Sequence, residues 1–67
     1  MKTDVYELMI LRCTDKAFLA KEPEGKEEFW IPFSVVVDPE EKVIRECVGT
    51  DCEVELPDWI AEEKGLL

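Results

Sequence analysis

Apolar and polar positions alternate along most of this chain, and the alternation breaks at prolines and glycines. Val5, Tyr6, Leu8, Met9, Ile10 and Leu11 make a run rich in β-formers and long aliphatics, which predicts a first strand over about 5–13. Leu8 and Leu11 also fit a helical period, the competing reading of this segment. Thr14-Asp15-Lys16 reads as a polar turn. A second strand over 17–22 places Phe18 and Ala20 on one face and Ala17, Leu19 and Lys21 on the other. In the turn Pro23-Glu24-Gly25-Lys26, the proline fixes φ and the glycine accepts a positive φ.

The stretch that organises the rest is 27–37, predicted as one long strand. Phe29, Ile31, Phe33, Val35 and Val37 share one face, wholly apolar and expected to point inward. Glu28, Trp30, Pro32, Ser34 and Val36 share the other, which is mixed and expected to be partly exposed. Pro32 has no N–H to give to a ladder, so the strand must run at an edge, bulge or bend there. After the turn Asp38-Pro39-Glu40-Glu41-Lys42, a fourth strand is expected over 43–48. Gly49-Thr50-Asp51 turns the chain into a fifth over 52–56, with Cys52, Val54 and Leu56 inward and Glu53 and Glu55 outward.

A helix over about 57–64 ends the pattern. Pro57 suits its first position, Trp59 and Ile60 form its buried side, and Gly65 is placed to terminate it, with Leu66 folding back. The sum is a mainly β protein: one domain over 1–67, a small five-stranded antiparallel barrel or rolled sheet of SH3-like or OB-like type, with a short C-terminal helix.

Composition narrows the function classes. Sixty-seven residues carry 17 acidic and 8 basic side chains, a formal charge of −9. That charge repels a phosphate backbone and argues against nucleic acid as a general partner. It suits a partner with a basic face. No apolar run approaches the roughly 18 residues of a membrane span. The N-terminus lacks a signal-peptide layout, so a cytoplasmic location with reduced thiols is expected. With no histidine, the commonest general base and metal ligand is missing. Cys13, Cys47 and Cys52 supply three thiols where a structural zinc needs four ligands, so neither metal nor cofactor is expected. Cys47 and Cys52 flank a tight turn, where a disulfide is geometrically open but a reducing compartment favours free thiols. The adjacent acidic pairs Glu27–Glu28, Glu40–Glu41 and Glu62–Glu63 point to opposite faces if extended and do not converge on a substrate. No catalytic constellation emerges.

Three segments together carry a resemblance: Thr14-Asp15-Lys16-Ala17-Phe18-Leu19, Trp30-Ile31-Pro32-Phe33-Ser34, and Leu56-Pro57-Asp58-Trp59-Ile60-Ala61-Glu62-Glu63-Lys64-Gly65-Leu66. Over residues 14 to 67 the chain resembles a group of small bacteriophage- and prophage-encoded proteins with a tryptophan-x-proline-x-serine strand and a proline-x-tryptophan acidic helix. Members often carry a basic residue where Phe33 stands here. The resemblance implies a phage setting, and with it roles in phage replication or in disarming host defence.

The candidate binding residues are Trp30, Pro32 and Ser34 on the central strand, with Lys21 and Arg45 as cations. An exposed indole beside a hydroxyl stacks on a flat ligand and hydrogen bonds its edge. Arg12, Lys21 and Arg45 would form a local basic face if the first, second and fourth strands were neighbours. The function expected is that of a non-catalytic binding module. It would act on a host or phage protein, or sequester a small nucleotide-like ligand across a homodimer. The alternative is an OB-like single-stranded nucleic-acid-binding accessory protein of phage replication. A third class is an acidic mimic of DNA.

Overall fold

Leu8, Ile10, Phe18, Ala20, Ile31, Val54 and Leu56 are almost wholly excluded from water, and they come from four strands of one antiparallel sheet. The computed structural model describes residues 2–66. The strands are β1 (Thr3–Cys13), β2 (Ala17–Lys21), β3 (Glu28–Pro32) and β4 (Asp51–Pro57), in the spatial order β3-β2-β1-β4. Two short helices, α1 (Glu41–Glu46) and α2 (Asp58–Glu63), add Ile44 and Ile60 to the same buried cluster. One face of the sheet is therefore covered and the other is bare.

The expected five-stranded barrel gives way to an open four-stranded sheet, for two local reasons. First, residues 43–48 are not a strand. Glu41-Lys42-Val43-Ile44-Arg45-Glu46 forms α1, in which only Ile44 is buried. Glu41 and Arg45, four apart, make an ion pair at 2.7 Å that only a helix brings together. Second, the long strand 27–37 stops at Pro32. Phe33–Val35 then forms a single 3-10 turn. The inward set holds at Ile31, weakens at the half-buried Phe29, Phe33 and Val35, and fails at Val37, which is 51% exposed.

Hydrogen-bond direction explains why Pro32 is tolerated. The Phe33 N–H donates to the Lys16 carbonyl at 2.9 Å. Alternate residues Phe29 and Ile31 therefore face β2, and the N–H that Pro32 lacks would point off the open edge. The opposite edge, on β4, is partly closed. Val37 N–H donates to the Glu55 carbonyl at 2.9 Å, and Glu55 N–H donates to the Asp38 carbonyl at 2.6 Å.

β1 carries an irregularity that decides which side chains reach the bare face. Its pairing with β2 runs Met9↔Lys21 and Ile10↔Ala20, then resumes one residue out of step as Arg12↔Leu19 and Cys13↔Phe18. Leu11 is the extra residue of a β-bulge. Strict alternation after Leu8 and Ile10 would turn Arg12 into the core. The bulge sends Arg12 outward and Cys13 inward instead.

The chain end follows expectation in part. Gly65 has φ +78°; its N–H donates to Glu62 and that of Leu66 to Ala61, the paired bonds of a Schellman end. Leu66 packs on the core. Positive φ falls at Gly49 and Gly65, not at Gly25. Trp59, expected on the buried side of the helix, is 52% exposed; Ile60 and Ala61 make the contact instead. Pro57 ends β4 and stands just before the helix.

Deleting Leu11 removes the extra residue and leaves the β1–β2 ladder regular, with Ile10 inward, Arg12 outward opposite Leu19 and Cys13 inward opposite Phe18. The deletion should therefore be tolerated, with urea unfolding showing a loss of no more than about 1–2 kcal/mol. A loss well above about 3 kcal/mol would show that Leu11 does more than fill the bulge.

Candidate functional site

The bare face of the sheet is the largest feature that the fold leaves unsatisfied. Cross-strand partners project from the same face, so the pairings Arg12↔Leu19 and Leu19↔Trp30 set these three side chains in one row across β1, β2 and β3. The next row is Met9, Lys21 and Glu28. Trp30 is 42% exposed, and Val5, further along β1, is 59% exposed. Around these apolar groups stand Glu7, Glu28, Asp51 and Glu53, all exposed. The face is thus an apolar strip with a mainly acidic border, joined by Arg12 and Lys21.

The strip leads to a groove at the end of β3. Asp15, Lys16, Pro32, Phe33, Ser34 and Glu41 line a shallow hollow of about 420 Å3. Arg45 of α1 contacts three of these residues, Asp15, Phe33 and Glu41. The guanidinium donates to the carbonyls of Thr14 at 2.8 Å and Asp15 at 3.0 Å, and to Glu41. It also lies 4.7 Å from the centre of the Phe33 ring, and that ring packs against Phe18 at 5.3 Å. One side chain therefore ties the helix to the β1–β2 turn and to the 3-10 turn. The exposed ion pair by itself is worth little. The two carbonyl bonds and the aromatic contact are what hold α1, a helix too short to persist alone.

The five residues singled out in the sequence are distributed as follows. Trp30 and Pro32 lie on the bare face of β3, and Ser34 is exposed in the 3-10 turn beside them. Lys21 shares the bare face but sits at the other end of β2, where its Nζ donates to the carbonyls of Pro23 and Gly25. Arg45 approaches from the covered side, with its donors already engaged. Arg12, Lys21 and Arg45 do not form one basic face, because the segment bearing Arg45 is a helix and not a strand. Sequence reasoning set Leu19 on the face of Lys21 and named Arg12 as a possible cation, but it missed their row with Trp30, which the β2–β3 pairing and the bulged β1 register create. It also missed Phe33 and Glu41 in the groove. For Glu41 a signal existed: the Glu-x-x-x-Arg spacing of a helix.

Neither Cys13 nor Cys52 is activated as a nucleophile. Burial pushes the Cys13 thiol up, an effect that Arg45 opposes and Glu41 reinforces. Burial also pushes Cys52 up, to about 11, with further contributions from Cys47, Glu53 and Asp38. Among the described residues, no three His, Cys, Asp or Glu side chains are grouped to hold a metal ion. No helix among them is long and apolar enough to cross a membrane. Comparison with protein-family models, with curated proteins and with solved structures gave no match.

Replacing Arg45 by alanine should lower stability by about 1–2 kcal/mol in urea unfolding, through loss of the carbonyl bonds and the Phe33 contact. Arg45→Lys should recover less than half of that, since an ammonium cannot bridge both carbonyls and Glu41 while lying over the ring.

Proposed function

We propose that this chain is a non-catalytic binding module that docks a protein partner on the bare face of its sheet, around Trp30. The observation that carries the reading is the one-sidedness of the sheet. Both helices contribute to one face, while the other presents the row Trp30–Leu19–Arg12 together with Met9 and Val5. Trp30, Leu19 and Met9 neighbour one another on this face, and exposed apolar groups gathered in this way mark an interaction surface more often than an inert one. An exposed tryptophan on the edge strand β3 supplies the type of side chain that anchors interfaces.

Charge selects the partner. The acidic border and the net charge of −9 favour a protein surface that carries lysine or arginine around an apolar patch. They disfavour a second copy of this chain, which would bring like charges together. A phosphate-bearing ligand is less well served, because Arg45, one of the two cations chosen for it, spends its donors on backbone carbonyls and Glu41. The resemblance to small phage-encoded proteins supports a host or phage protein as the target, and with it an anti-defence role. The groove at Pro32, Phe33 and Ser34 extends the strip and gives the partner a second contact.

Trp30→Ala should keep the fold, since the side chain lies outside the core, and should weaken binding of the isolated partner by at least tenfold, about 1.5–3 kcal/mol. Ser34→Ala should weaken it less. Calorimetric titration of both variants, each checked for unaltered unfolding, provides the measurement. Equal affinity of the two variants and the wild type removes this face from the account. Tight, salt-sensitive retention of single-stranded oligonucleotide by the wild type would replace the reading with the nucleic-acid one.

A further inference from the structure

The sequence places four residues between one thiol and the next, at Cys47 and Cys52, and the fold gives that spacing a use. Cys47 caps the C-terminus of α1, and its carbonyl accepts from both the N–H and the hydroxyl of Thr50 at 2.8 Å. That tight turn reverses the chain, and two residues later Cys52 enters β4 opposite Leu8. The result is that both side chains pack in the same cluster, with Cys47 among the neighbours that act on the Cys52 thiol. Both are free; Cys47 is half-buried and Cys52 is buried. Cys13, the remaining cysteine, is placed elsewhere, paired with Phe18 on β2 and beside Arg45.

We propose that Cys47 and Cys52 are an intrachain disulfide site, closed by exchange with a low-molecular-weight disulfide, that ties the end of α1 to β4. In the first step the Cys47 thiolate attacks one sulfur of the small disulfide. The S–S bond of that molecule breaks, one thiolate leaves and takes up a proton, and Cys47 carries a mixed disulfide. In the second step Cys52 gives its proton to solvent and attacks the Cys47 sulfur, expelling the second small thiolate. The two cysteines lose two hydrogens and two electrons, and the small disulfide becomes two thiols. Cys47 goes first because it is the more accessible of the two. Cys52 resolves slowly, because its thiol is pushed up to about 11 by burial and by its neighbours Cys47, Glu53 and Asp38. Below that value its thiolate fraction, and with it the closure rate, rises about tenfold per pH unit.

The closed form matters because α1 carries Glu41 and Arg45, which respectively line and support the groove beside Ser34. A covalent tie at the end of this helix fixes both. The site is independent of the proposed partner and is tested without it.

Oxidised glutathione is added to the reduced protein across about pH 7 to about pH 9, and the products are read by intact mass and peptide mapping. The expected sequence is a glutathione adduct on Cys47, followed by loss of the adduct and of two hydrogens, with a Cys47–Cys52 crosslinked peptide. Ring closure should speed up about tenfold per pH unit, and the oxidised chain should melt a few degrees higher. Cys13→Ser should behave like the wild type, and Cys52→Ser should stop at the Cys47 adduct. The proposal is overturned if the wild type stays as a mixed disulfide at the alkaline end, if the crosslink involves Cys13, or if it joins two chains. Because the wild-type peptide map alone decides these points, a variant that fails to fold leaves the test intact.

Discussion

Arg12 stands two residues beyond Ile10, at the spacing that would carry its guanidinium into the interior beside Phe18. An unpaired cation there is among the most expensive things a fold this small could contain. The chain avoids it by spending one residue, Leu11, on a bulge. The place of Arg12 on the bare face follows from that single slip in register. Arg12 comes out beside Leu19, Leu19 pairs with Trp30, and Cys13 turns inward in Arg12's stead. A regular β1 would have given a different face and a weaker core.

The second constraint is size. Neither helix exceeds six residues, below the length at which backbone bonding alone sustains a helix. Each is held by specific contacts. α2 has Ile60 and Ala61 against the sheet and the Schellman end that brings Leu66 down onto the core. α1 has Ile44 below and Arg45 reaching to the β1–β2 turn. Arg45 and the bulge at Leu11 work on the same corner of the molecule from opposite faces of the sheet, which makes the end of β3 its most heavily specified region.

Much of the strand pattern was legible in the sequence. Phe18 and Ala20 against Ala17, Leu19 and Lys21, and Cys52, Val54 and Leu56 against Glu53 and Glu55, sort to the two faces as alternation requires. The outward turn of Trp30 and the Gly65–Leu66 helix end were equally readable. The failures have physical causes. Residues 43–48 contain enough β-branched character to suggest a strand, yet Val43 and Val48 are exposed, and the Glu41–Arg45 spacing outweighs propensity. Residues 33–35 alternate without being extended, because the chain leaves β3 in a 3-10 turn and crosses so that Val37 bonds Glu55. The Trp59 reading rested on the size of the side chain, whereas the two small apolar neighbours Ile60 and Ala61 allow closer docking of so short a helix. The exposure of Trp30, Pro32 and Ser34 was legible. The row that Trp30 shares with Arg12 was hidden, since a bulge cannot be placed without its pairing partner.

A sheet clothed on one side separates two kinds of substitution. Positions such as Ile31, Val54 and Leu56 are locked by their neighbours, whereas Val5, Glu7, Met9, Leu19 and Trp30 project from the same strands without taking part in that packing. Changes among the latter leave folding almost untouched while redrawing shape and charge over one continuous surface. Sequence can therefore drift on the visible side while the hidden side preserves the architecture.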